Sequence, residues 1–184
     1  MIVELLVIFI FNNLLQVSNE KKYILSKEIA GKKLRRMALE LVERNYDEPQ
    51  LVLIGIKENG IVIADKLANH LKDVFKGEVV VAALTINKKH PAEVVIEPFI
   101  DFNDKVVILI DDVANSGRAM LYSLQPFLKT WPKKIQTAAL VERTHKSYPI
   151  ALDYVGLSIS TTLDEHIYVE VQDGEVLGAW MEVV

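Results

Sequence analysis

Residues Val106–Ala119 read VVILIDDVANSGRA. Five apolar, mostly β-branched residues lead into two adjacent acids, and a turn of small residues then opens onto a helical pattern. An unbroken apolar run of this length is what a central parallel strand carries, because both of its faces are covered. Asp111 and Asp112 therefore fall at its carboxyl end, the edge where open α/β sheets bind ligands. Asn115, Ser116 and Gly117 form a turn whose backbone N–H groups, with the start of the next helix, suit a phosphate group. Carboxylates accept hydrogen bonds from sugar hydroxyls while amides and a hydroxyl hold phosphate, so the layout points to a phosphorylated sugar.

Working outward, Ser26 is an N-cap for a helix to about Asn45, with Ala30, Leu34, Met37, Ala38 and Leu41 on one apolar face. Its opposite face carries Lys32, Lys33, Arg35 and Arg36, a pattern ordinary for a solvated surface. Leu51–Ile56 reads as a buried strand, and Ile61–Phe75 as a helix with Ala64, Leu67, Ala68, Leu71 and Phe75 facing inward. Val79–Ile86 is a further strand. Residues 87–104 read as a loop in a lid position, with a short strand at Glu93–Ile96. Arg118–Leu128 is helical, ended or bent by Pro126, and Ile135–Val141 is another strand. Alternating strands and helices imply a parallel sheet with right-handed crossovers. Tyr168–Val171, the pair Asp173-Gly174 and Glu175–Met181 form a hairpin. The fold class expected is α/β: a Rossmann-like parallel sheet flanked by helices, with a small C-terminal β hood or flap.

The 184 residues fit one domain, taken as 26–184 after an apolar N-terminal extension, 1–25. That extension begins MIVELLVIFIF, contains Glu4, and lacks the basic leader and cleavage site of a signal peptide. It is also shorter than the ~20 residues needed to cross a bilayer. A buried strand, an interface segment and an over-long start all remain open, and a cytoplasmic protein without a membrane partner is expected. A net charge of −4 offers no global footprint for nucleic acid, so DNA is not expected as a partner and RNA would need a local patch. The absence of cysteine excludes disulfides, thiol catalysis and thiolate metal sites. His70, His90, His145 and His166 lie far apart with no zinc-type spacing.

Gly55-Ile56-Lys57-Glu58-Asn59-Gly60 follows a strand and precedes a helix, so it shares the sheet edge with Asp111. Its glycines permit close backbone approach and unusual dihedrals, and Lys57 supplies a charge for a second phosphate. Val141-Glu142-Arg143-Thr144-His145 ends the next strand. The central segment resembles the phosphoribosyl-pyrophosphate (PRPP) loop of type I phosphoribosyltransferases, with Ser116-Gly117 standing for their Thr-Gly. From Ser26 onward, the order Gly-Ile-Lys-x-x-Gly, Asp-Asp-Val, Ala-Leu-Val-x-Arg-x-His, Pro-Ile and Asp-Tyr-Val-Gly is similar to the bacterial pyrimidine-operon attenuation regulators, which are also uracil phosphoribosyltransferases. Glu43-Arg44-Asn45 fits the end of that family's first helix.

The resemblance implies transfer of the 5-phosphoribosyl group from PRPP to uracil with release of pyrophosphate, in a homo-oligomer. Mg²⁺ would enter with PRPP, bridged by water to Asp111 and Asp112 rather than held by protein ligands alone. Those two acids would hold ribose hydroxyls or metal-bound water and stabilise positive charge on the ring. Val113, Ala114, Asn115, Ser116, Gly117, Arg118 and Ala119 would bind the 5′-phosphate. Lys57, Glu58, Asn59 and Gly60 would bind pyrophosphate, and Glu142, Arg143 and His145 would lie beside the base.

The chain departs from that family at several points. Ala119 replaces a hydroxyl residue and Asn59 an arginine, removing a charge-assisted contact of a kind worth about 1.5–3 kcal/mol, so reduced activity is expected. Lys88, Lys89 and His90 stand where the family's mobile loop has acids and arginine. Asn115 stands where purine-using relatives have an acid, and an amide cannot take a proton, which favours uracil over purines. Two alternatives follow. One is an RNA-binding regulator that senses PRPP or nucleotide through Lys32, Lys33, Arg35, Arg36, His145 and Lys146, although Ala151 and Leu157 stand where the family tends to basic residues. The other is a non-catalytic binder of PRPP or nucleotide.

Overall fold

The computed structural model describes residues 21–86, 93–162 and 164–183. Its main sheet has six strands in the order β4-β3-β2-β5-β6-β7: β2 (Gln50–Ile56), β3 (Glu78–Ile86), β4 (Val94–Glu97), β5 (Val106–Ala114), β6 (Lys134–Arg143) and β7 (Tyr154–Ile159). All neighbours are parallel except β4, which returns antiparallel along β3. Strand addition therefore runs outward one way from β2 to β3 and the other way from β5 to β7. The reversal lies between β2 and β5, paired from Leu51↔Val106 to Gly55↔Ile110. In such sheets that reversal opens a crevice at the carboxyl ends of the two central strands.

Both central strands are buried on both faces, as their unbroken apolar sequences require. Leu51, Leu53, Val106, Ile108 and Ile110 face one core with α1 (Lys27–Arg44) and α2 (Asn59–Leu71). Val52, Ile54, Val107 and Leu109 face a second core with Phe102, Met120 and Phe127. Helix α1 starts where the Ser26 hydroxyl accepts the amide of Ile29 at 3.3 Å, and its buried face is the expected Ala30, Leu34, Met37, Ala38 and Leu41.

A second sheet has three strands in the order β1-β9-β8: β1 (Lys22–Ser26), β8 (Glu165–Gln172) and β9 (Glu175–Val183). The β8–β9 hairpin turns on Asp173 and Gly174, both at positive φ (51° and 73°). Ile167, Val169, Val176, Ala179 and Met181 join the first core, so this hood shares its interior with α1 and α2. Its third strand comes from the other end of the sequence: Lys22–Leu25, grouped above with the N-terminal extension, pair with β9.

Some boundaries differ from expectation. Helix α2 begins at Asn59 and ends at Leu71. Regular helix after Gly117 is only α3 (Arg118–Ser123), continued by a 3-10 turn, Gln125–Lys129, with Pro126 in its first positions. Strand β7 was not foreseen. The N-terminal residues 1–20 and the trio Lys88, Lys89 and His90 lie outside the described residues. Among the described residues no helix is long and apolar enough to cross a membrane.

Candidate active site

At the crevice between β2 and β5, a cleft of about 690 Å³ is lined by Lys57, Glu58 and Asn59 from one loop and by Asp112, Ser116, Arg118 and Ala119 from the other. The two loops read separately in the sequence thus face one cavity. Glycine sets their spacing. A Cβ on Gly60 would lie 2.7 Å from the Ile110 carbonyl oxygen and 3.2 Å from the Asp111 Cα, so only glycine lets the start of α2 press against the end of β5. Gly55 acts likewise against the Ile61 backbone, at 2.3 Å. Neither has positive φ, so their use is close approach rather than unusual dihedrals.

Gly117 does require the left-handed region, at φ 79°, where it turns the chain from β5 into α3. The Arg118 amide donates to the Ser116 hydroxyl at 3.3 Å, and the Ser116 carbonyl accepts the amides of Ser147 and Tyr148 at 3.1 and 3.0 Å. The segment after β6 thereby braces the phosphate-type turn from behind. Ala119 is exposed and adds no side-chain donor, while the Arg118 guanidinium lies 5.5 Å from the Tyr122 ring centre.

The acid pair ends the buried part of β5. The Asp112 amide donates to Asp111 Oδ1 at 3.0 Å. Burial at the strand end, with the Asp112 charge beside it, pushes the Asp111 carboxyl well above the usual carboxylate range. Two adjacent carboxyls, one of them buried and neither ion-paired among the described residues, suit a cation or a centre of developing positive charge. Its hard oxygen donors fit Mg²⁺, which binds through one or two carboxylates, water and substrate phosphates. Among the described residues no cluster of three or more His, Asp and Glu side chains gathers into a protein-only metal cage.

In the facing loop the Lys57–Glu58 peptide is cis, and the Lys57 amide continues the sheet by donating to the Leu84 carbonyl at 2.8 Å. The Lys57 ammonium lies 3.9 Å from Glu97 on β4. Asn59 Nδ2 donates to Asp112 Oδ2 at 2.9 Å and to the Val169 carbonyl of β8 at 3.1 Å.

The third group stands on the neighbouring strand end, with Glu142 in register with Ala114, and does not line the cleft itself. Desolvation pushes Glu142 up, but hydrogen bonds from Lys146 and Ser158 and the Lys146 charge outweigh it and leave the carboxyl lowered. Arg143 donates through Nη2 to the Thr162 carbonyl, and its buried Nε finds no partner among the described residues. His145 is exposed. The basic helix face is elsewhere: Arg36 caps the Val155 and Gly156 carbonyls of β7 at 2.5 and 3.1 Å and pairs with Glu40, while Lys32 pairs with Glu28 at 2.6 Å. Thr85, Ile86 and Tyr122 also line the cleft and were not foreseen. Of these only Tyr122 left a sequence signal, one helical turn beyond Arg118.

The phosphoribosyl transferase domain family matches residues 21–173. Bifunctional protein PyrR of Ligilactobacillus salivarius is 38% identical over 156 residues, covering 77% of this chain and 88% of that protein. The protein of the same name from Pelotomaculum thermopropionicum is 34% identical over 171 residues, covering 86% and 94%. Among solved structures, a hypoxanthine-guanine phosphoribosyltransferase from Bacillus anthracis superposes with a TM-score of 0.69 at 22% identity, covering 89% of this chain and 98% of that one. The hypoxanthine phosphoribosyltransferase of Trypanosoma cruzi gives 0.72 at 15% identity, covering 88% and 96%, a likeness of fold alone. With two loops and an acid-bearing strand end meeting at the switch point of a matching fold, the chain belongs to the phosphoribosyl transferase domain family, as a type I phosphoribosyltransferase with the bacterial PyrR proteins among its relatives.

Proposed function

We propose that the cleft binds PRPP with Mg²⁺ and transfers its 5-phosphoribosyl group to uracil. The observation that carries this reading is the convergence of Lys57–Asn59, Asp112 and Ser116–Ala119 on one cavity. The bond from ribose C1′ to the pyrophosphate oxygen breaks, a bond from C1′ to the base nitrogen forms, and that nitrogen loses its proton. Mg²⁺, when bound, neutralises charge on the leaving pyrophosphate. Asp111 and Asp112 hold the ribose hydroxyls and oppose the positive charge that develops on the ring. The turn Val113–Ala119 is assigned to the 5′-phosphate and Lys57–Gly60 to the pyrophosphate, while Glu142, Arg143 and His145, on the neighbouring strand end outside the cleft lining, are assigned to the base side. Catalysis on this reading is positioning and electrostatics. Asn115 favours uracil over a purine, because its amide cannot accept a proton. We take the catalytic unit as residues 26–184, acting in the cytoplasm as a homo-oligomer, with turnover reduced at Asn59 and Ala119.

Pyrophosphate release from PRPP and Mg²⁺ is expected with uracil and not with hypoxanthine or guanine. The double variant Asp111→Asn, Asp112→Asn should lose at least about 100-fold in rate, on the scale of a lost electrostatic stabiliser. Full activity in that variant refutes the role of the pair. No release with any base removes the enzymatic reading, and tight calorimetric binding of PRPP would then identify a non-catalytic binder. Binding of folded RNA is a second reading, favoured by the basic face of α1. Of its four cations, only Lys33 and Arg35 lack an ionic partner among the described residues.

A further inference from the structure

Asn59 stands at the mouth of the cleft, in the loop read above as facing pyrophosphate, yet its side chain turns away from that duty. A carboxamide nitrogen carries two hydrogens. Both are used: one goes to Asp112 Oδ2 at 2.9 Å, the other to the Val169 carbonyl at 3.1 Å. The oxygen that remains is an acceptor and has nothing to offer a phosphate. The partners belong to separate parts of the fold. Asp112 lies near the carboxyl end of β5 in the main sheet, whereas Val169 lies on β8, an edge strand of the hood.

We infer that Asn59 is a positioning residue that latches β8 to the carboxyl-terminal part of β5 and fixes the carboxylate of Asp112 for the ribose, leaving pyrophosphate to Lys57 and the loop amides. With Oδ2 of Asp112 held by the Asn59 amide, the other carboxylate oxygen is the one left for ligand. The inference rests on the proposed PRPP site for its ligand, while the latch itself is a property of the free protein.

Asn59→Leu, close in size and without a donor, separates the two. In the free variant, hydrogen exchange at β8 amides around Val169 should quicken at least about tenfold while exchange in β2 and β5 stays unchanged. Binding measured by calorimetry should split by ligand: the Kd for Mg²⁺–PRPP should rise about tenfold, and that for Mg²⁺–pyrophosphate, which has no ribose, less than about twofold. A merely destabilised loop would weaken both equally, and a direct pyrophosphate contact would weaken pyrophosphate as much as PRPP; either result overturns the inference. Unchanged exchange at β8 overturns the latch. Should the wild-type protein fail to bind Mg²⁺–PRPP at all, the proposed function falls, and the exchange experiment still decides the latch.

Discussion

Asp111 shows how burial at a strand end can set a single carboxyl against stability. Its raised carboxyl has a sign that can be tested. Below the ordinary carboxylate pKa both folded and unfolded chains carry the proton, and folding loses nothing. As pH climbs, the unfolded chain ionises first, and the native state then holds a carboxyl that resists ionisation, so stability falls with rising pH through the folded value. Asp111→Asn keeps the acceptor for the Asp112 amide and removes the titration. At pH 7 the variant should be the more stable, with a higher Tm, and the gap should close in acid. Melting curves at both pH values check this, and an equal gap at both would contradict it. The acid pair could be found in the sequence because its chemistry is local to one strand end. The hydrogen bonds of Asn59 could not, because Val169 lies far along the chain and only the folded hood brings its carbonyl within reach.

Among the elements, α1 is held to the sheet by more than its apolar face. Asn45, fully buried at its C-cap, has its Nδ2, with two hydrogens to give, within 2.9, 3.0 and 3.2 Å of the Leu41 carbonyl, Gln136 Oε1 and the Tyr154 hydroxyl, and its Oδ1 accepts from Lys134 Nζ at 2.9 Å. Asn45→Ala leaves buried polar atoms on β6 and β7 without this partner, a loss of about 2–3 kcal/mol and roughly 4–10 °C in Tm by thermal denaturation. A loss below about 0.5 kcal/mol would show that water replaces the amide. The strands with unbroken apolar runs and the helix with a clear face were legible, since burial on two faces or on one leaves a direct mark on sequence. Strand β7 was not, because YVGLSI is short and contains Gly156, whose missing Cβ lets Leu140 come close, within 2.4 Å of the position a Cβ would take. Strand β1 was hidden for another reason: its partner β9 lies at the opposite end of the sequence.

At the scale of the whole molecule, a net charge of −4 sets a background that repels nucleic acid. The basic face of α1 cannot reverse this, with Arg36 engaged by β7 and Glu40 and Lys32 by Glu28. With Lys33 and Arg35 left, binding to a pyrimidine-operon leader transcript should show a log–log salt slope no steeper than about −2. Filter binding between about 50 and 200 mM salt measures it, and Lys33→Gln with Arg35→Gln should abolish what remains. Affinity untouched by that pair of changes would mean that α1 is not the RNA surface. The hood has a consequence in time as well as in space. Its middle strand, β9, follows the whole six-stranded sheet in the order of synthesis, while β1 precedes it. Domains fold as units, and β1 has no partner strand to join until β9 has been made. The Asn59–Val169 contact can close only once β8 has been made, and a growing chain carries both loops that line the cleft before it carries the strand to which Asn59 is tied.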